Sequence, residues 1–84
     1  MPRPFFPHTL HDVTRNVDGP LGLIAADMPD GTLFVLKRSR RTGAYTMTHY
    51  ADTRRSAVLK KIAHTQRRDA INALSEAIGL NEFL

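Results

Sequence analysis

Residues 21–38 read Leu21-Gly22-Leu23-Ile24-Ala25-Ala26-Asp27-Met28, then Pro29-Asp30-Gly31, then Thr32-Leu33-Phe34-Val35-Leu36-Lys37-Arg38. Two runs of strand length flank a tripeptide with the chemistry of a tight turn. Proline fixes φ at the first turn position, aspartate tolerates the bridge region and glycine accepts positive φ. The second run is rich in β-branched and aromatic residues. The whole stretch therefore reads as a β-hairpin.

On the C-terminal side, Ser39-Arg40-Arg41-Thr42-Gly43 forms a second loop, with Gly43 placed to take the left-handed conformation. Ala44 to Tyr50 then alternates. Tyr45, Met47 and His49 point one way, and Thr46, Thr48 and Tyr50 the other, which predicts a third strand with one wetter face. Tyr45 and Tyr50 fall on opposite sides, so at most one of them belongs to a core. On the N-terminal side, Leu10, Val13 and Val17 have helical spacing, Thr9 and Asp12 cap the start, and Gly19-Pro20 stops the run. A short helix is predicted at about residues 10–17. Before it, Pro2, Pro4 and Pro7 frame Phe5 and Phe6 in an extended, proline-rich arm over residues 1–8.

From Asp52 onward the apolar spacing turns helical, with Asp52 or Thr53 able to cap the start. Val58, Leu59, Ile62 and Ala63 share one helical face; Ala70, Ile71, Leu74, Ala77 and Ile78 share another. At ~100° per residue these faces are centred roughly 100° apart, which one straight helix handles badly. Two helices are expected, about 54–64 and 66–78, broken near Thr65-Gln66 and closed by Gly79, with Leu80, Phe83 and Leu84 folding back onto the core. One bent helix is the alternative. The fold class is α+β: a three-stranded antiparallel meander, with the N-terminal helix and both C-terminal helices on one face.

Length allows one domain, residues 1–84, with one modest core. The apolar share of 42% and charged share of 24% place the chain among globular sequences, not disordered ones. No run of eighteen apolar residues occurs, so a membrane span is not expected. The start lacks the apolar stretch of a secretory signal. The absence of cysteine excludes disulfides, zinc ribbons and thiol chemistry and fits a reducing cytoplasm.

The charge is unevenly placed. Residues 37–68 hold Lys37, Arg38, Arg40, Arg41, Arg54, Arg55, Lys60, Lys61, Arg67 and Arg68 against Asp52 alone. The segments on either side are net acidic. Such a block repels itself, and a partner carrying negative charge relieves the repulsion. Its seven arginines suit bidentate phosphate contacts. In a first helical turn, Arg54 and Arg55 would oppose the helix dipole, a local rule broken without visible compensation. A strand over 44–50 runs roughly 20 Å. A returning helix then brings Arg67 and Arg68 level with Arg40 and Arg41, with Lys60 and Lys61 between. All ten bases are expected to share one surface.

Catalysis is not expected, and no cofactor or metal is implied. His8, His11 and Asp12 lack further ligands at metal-binding spacing. His49 and His64 stand alone, no His/Asp partner marks Ser39 as a nucleophile, and no glycine-rich phosphate loop occurs. The sequence reads as a small non-enzymatic binding protein. Hairpin loop 37–43 and helix 54–68 would take nucleic acid or another polyanion. The alternative is a protein-binding regulator or inhibitor, monomeric or homodimeric. It would dock on an acidic or nucleic-acid-binding host protein surface, in the manner of phage or mobile-element inhibitors of host defence.

Overall fold

The computed structural model describes residues 8–79. Its elements run α1 (Leu10–Val17), β1 (Leu23–Asp27), β2 (Leu33–Arg38), β3 (Tyr45–Tyr50), β4 (Val58–His64) and α2 (Arg67–Ala77). The strands form one antiparallel sheet in the order β1-β2-β3-β4. Residues 1–7 of the expected arm over 1–8, and the expected fold-back after Gly79, lie outside the described residues.

Helix α1 begins where Thr9 accepts a hydrogen bond from the Asp12 amide at 3.2 Å, satisfying one of the donors every helix start leaves open. At the β1–β2 turn, Asp30 Oδ1 accepts from the Thr32 amide at 2.9 Å and from its hydroxyl. Gly43 closes the β2–β3 loop at φ 75°, as its position predicts.

The expected helix at 54–64 is instead the fourth strand. The spacing Val58, Leu59, Ile62 fits a helical face, but it also fits an edge strand carrying one bulge. The ladder with β3 shifts between His49 and Tyr50: His49 pairs with Lys60 and Tyr50 with Val58, so Leu59 is the unpaired extra residue. Without the bulged residue the period is two, with Lys60, Ile62 and His64 on one side and Lys61 and Ala63 on the other. Tertiary pairing outweighs local spacing here. Were β3 the sheet edge, its backbone groups would go unpaired, and β4 satisfies them. The expected break at Thr65-Gln66 is real, but it separates a strand from α2, not two helices.

Both helices pack on the same sheet face. Ile24, Ala26, Phe34, Leu36, Tyr45 and Met47 from the sheet meet Val13, Val17, Ala70, Ile71, Leu74 and Ile78 from the helical segments. Leu36 sits at the centre, fully buried, with Ile24 and Met47 as its cross-strand neighbours. His49 lies on this side too, its ring stacked on Phe34 with centroids 4.0 Å apart. The alternate residues Leu23, Val35, Lys37, Thr46, Thr48, Tyr50 and Lys61 face the other way, where neither helix lies.

Candidate nucleic-acid interface

The antiparallel ladder decides where each basic residue falls. Strand β3 runs from the β2–β3 loop to the β3–β4 loop, and β4 returns to the first of these ends before α2 begins. Arg40 and Arg41 in the β2–β3 loop therefore share an end of the sheet with Arg67 and Arg68. Arg54 and Arg55 lie at the opposite end, about 17 Å away along β3. Lys60 and Lys61 stand between, on β4. The expected levelling of Arg67 and Arg68 with Arg40 and Arg41 holds, although a strand and not a helix makes the return. Arg54 and Arg55 accordingly occupy a loop, not a first helical turn, and face no helix dipole.

Convergence onto one surface holds for only part of the set. Arg38 and Arg67 turn to the helical side, where Asp18 pairs with both, at 3.8 Å and 2.7 Å. Lys60 also faces that side, beside a small depression with Glu76 and Ala73. No other lysine or arginine among the described residues has a carboxylate within 4 Å.

The helix-free side gathers Lys37, Arg40, Arg41, Arg55 and Lys61, whereas Arg54 and Arg68 line neither of its depressions. One depression of about 330 Å³ is lined by Leu23, Val35, Lys37, Thr46, Thr48, Tyr50, Arg55 and Lys61. It adjoins a second of about 500 Å³, lined by Leu21, Lys37, Arg38, Ser39, Arg40, Arg41 and Thr46. The two share Lys37 and Thr46, so they form one groove from the β2–β3 loop across the sheet to Arg55. Five cations without a carboxylate partner line it, Arg38 touches its rim while pairing with Asp18 on the helical side, and no carboxylate among the described residues lines it. Asp27 alternates to this side as well, on edge strand β1 in the row of Leu33 and Tyr50, two strands from the Tyr50 end of the groove, and does not line it.

Local backbone chemistry sets both ends of the groove. Ser39 Oγ accepts from the Arg41 and Thr42 amides at 3.3 Å, folding the loop so that Arg41 projects. The Arg40 guanidinium donates to the Pro20 carbonyl oxygen, holding that charge against the chain leaving α1. At the other end, Asp52 accepts from the Arg54 and Ser56 amides, each at 3.1 Å, and from the Ser56 hydroxyl. The Ser56 hydroxyl above all, then its amide, holds the Asp52 carboxyl below the usual value of 3.8. Within this turn Arg55 takes φ 59°, the left-handed region that a side chain enters at a cost of about 1–2 kcal/mol. Its guanidinium carbon lies 5.8 Å from the Tyr50 ring centroid, within cation–π range.

The participants that charge counting missed are Tyr50, Thr46, Thr48 and Val35, which form the floor. Their signal is the alternation of β3, which predicts a wetter face containing Thr46, Thr48 and Tyr50. What the spacing hid is that Lys61 joins that face, since this requires β4 to be a strand. Among the described residues, no three histidine or acidic side chains gather as metal ligands, and no helix is long and apolar enough to cross a membrane.

The class so defined is a four-stranded antiparallel α+β sheet, helix-covered on one face and grooved and cationic on the other. No protein-family model matches the chain, and no curated protein or solved structure is significantly similar to it.

Proposed function

We propose that this protein is a nucleic-acid-binding module whose contact surface is the helix-free sheet face and the two loops bounding it. The observation carrying this reading is the continuous groove lined by five cations that lack a carboxylate partner and, among the described residues, by no carboxylate. Like charges gathered without internal compensation cost stability, and a polyanion removes that cost. The groove's lining is apolar, hydroxyl and cationic, with no nucleophile set beside a base, so the reading is of binding and not catalysis.

The test is titration with mixed-sequence DNA and RNA at several salt concentrations. Lys37, Arg40, Arg41, Arg55 and Lys61 lack carboxylate partners. If all five meet phosphate, the logarithmic salt slope is about −3.5 on single strands. Lys37→Ala with Lys61→Ala should flatten the slope by roughly 1.4. Undetectable binding at low salt removes the proposal.

One observation favours a second reading, docking of a protein partner. β4 is a sheet edge, and its Val58 and Leu59 are 55% and 57% exposed. An edge strand presents unpaired backbone groups to an added strand. A second copy paired antiparallel about the middle of β4 would set Lys61 against Lys61, which is unfavourable. The strand this edge accepts is therefore acidic. Light scattering that gives a monomer at high concentration disposes of the homodimer.

A further inference from the structure

We infer that the ligand of the groove is a single nucleic-acid strand, with a base stacked at Tyr50 and its phosphates on Lys37, Lys61 and Arg55. This rests on the nucleic-acid reading above and sharpens it from polyanion to strand type.

The shape of the site makes the distinction. A duplex keeps its bases inside and is read by an element that enters a groove, an α-helix or a two-stranded ribbon. The helix-free face offers neither. It is concave, and its 330 Å³ depression lies at the small end of ligand-pocket sizes. A duplex laid across it could touch only the cationic rim and would leave the floor unused. A single strand uses both, placing unstacked bases on the floor and its backbone on the rim.

The floor has the matching chemistry. Val35 and Thr48 are nearly buried there, and Tyr50 is half-buried at the end next to Arg55. The register places Lys37 and Lys61 on either side of β3, two strands apart and two residues offset, roughly 12 Å between Cα atoms. Cations thus flank an aromatic and hydroxyl floor on two sides. The guanidinium of Arg55 stands 5.8 Å from the ring centroid, so a base reaching Tyr50 meets the ring and the cation together. Charge complementarity names the occupant's backbone, and the floor names its exposed bases.

The chain contains no tryptophan and two tyrosines, Tyr45 and Tyr50. Tyr45 is buried on the helical side, so tyrosine emission reports on Tyr50 over a constant background. The experiment titrates the full chain with a mixed-sequence twelve-nucleotide single strand, as DNA and as RNA, and with the duplex of the same sequence at matched salt. Expected are quenching of tyrosine emission by the single strand and tighter binding of it than of the duplex. Tyr50→Ala should weaken single-strand binding about 5- to 150-fold, the loss of one base stack, and weaken duplex binding by much less. Tyr50→Phe should restore affinity, which a merely structural role for the hydroxyl would not allow. Thermal melts of each variant establish folding, and the wild-type quench stands independently of them. Duplex binding as tight as single-strand binding, or no quench at saturation, overturns the inference and leaves the broader reading standing. No binding to any of the three overturns both.

Discussion

The backbone of Arg55 allows stability to be separated from binding. Arg55→Gly and Arg55→Ala remove the same guanidinium and the same contact with Tyr50, so the two variants differ only in the main chain at φ 59°. A Cβ in the left-handed region costs about 1–2 kcal/mol, which glycine avoids. Glycine gives back about 0.4–1 kcal/mol through the larger freedom of its unfolded chain. The glycine variant should therefore be the more stable by about 0.5–1 kcal/mol. For a domain of this size that corresponds to roughly 2–8 °C in Tm, read by circular dichroism at one protein concentration. Both variants should bind single-stranded oligonucleotide more weakly than wild type, with salt slopes shallower by about 0.7. A residue kept in a strained conformation at a cost in stability, whose replacement by glycine recovers stability while weakening binding, is retained for what its side chain does. An alanine variant as stable as the glycine variant would refute the reasoning. It would mean that the loop does not hold residue 55 left-handed, and nothing would then aim the guanidinium at Tyr50.

Three further outcomes follow from the same geometry. Leu36→Ala, at the fully buried centre of the sheet, should lower unfolding free energy by about 2–5 kcal/mol in urea melts, with binding intact wherever the variant is folded. Asp18→Asn releases Arg38 and Arg67 from a partly exposed pair. It should cost less than about 1 kcal/mol of stability while strengthening oligonucleotide binding at low salt, because the protein's charge becomes more positive by one. Asp30 and Asp52 have carboxyl pKa values held below 3.8 by the hydroxyls of Thr32 and Ser56. Their contribution to stability is present above that value and fades as pH falls through the depressed range, so Asp52→Asn should flatten the acid limb of the stability curve in urea melts below about pH 4.

The parts of this fold legible in the sequence are those fixed by local chemistry. The cap at Thr9, the turn at Pro29-Asp30-Gly31, the glycine at 43 and the alternation of Tyr45 to Tyr50 each specify a backbone state from neighbours alone. α1, the hairpin and β3 accordingly fall where spacing places them. β4 does not, for a non-local reason. Val58, Leu59, Lys60, Lys61, Ile62 has a helical reading and a bulged-strand reading. The hydrogen-bonding demand of β3 decides between them, and that demand exists only once the sheet has formed. The site inherits the same ambiguity. On a helix, Lys60 and Lys61 would sit together. On a strand they part, Lys60 toward Glu76 and Lys61 into the groove.

That parting gives the charge distribution its meaning, because the carboxylates near the basic block have other work. Asp30 and Asp52 each organise a turn through backbone amides and a hydroxyl, and Asp18 is shared between Arg38 and Arg67 on the helical side. A chain selected only for solubility would intersperse opposite charges across its exposed sheet face, as stable surfaces do. Here Asp18, Asp30 and Asp52 sit at turns and on the helical side, Asp27 stands on the helix-free face in edge strand β1, and the lining of the groove from Arg41 past Lys37 and Lys61 to Arg55 holds only positive charge among the described residues. The repulsion so preserved acts against folding and becomes favourable only when negative charge enters the groove.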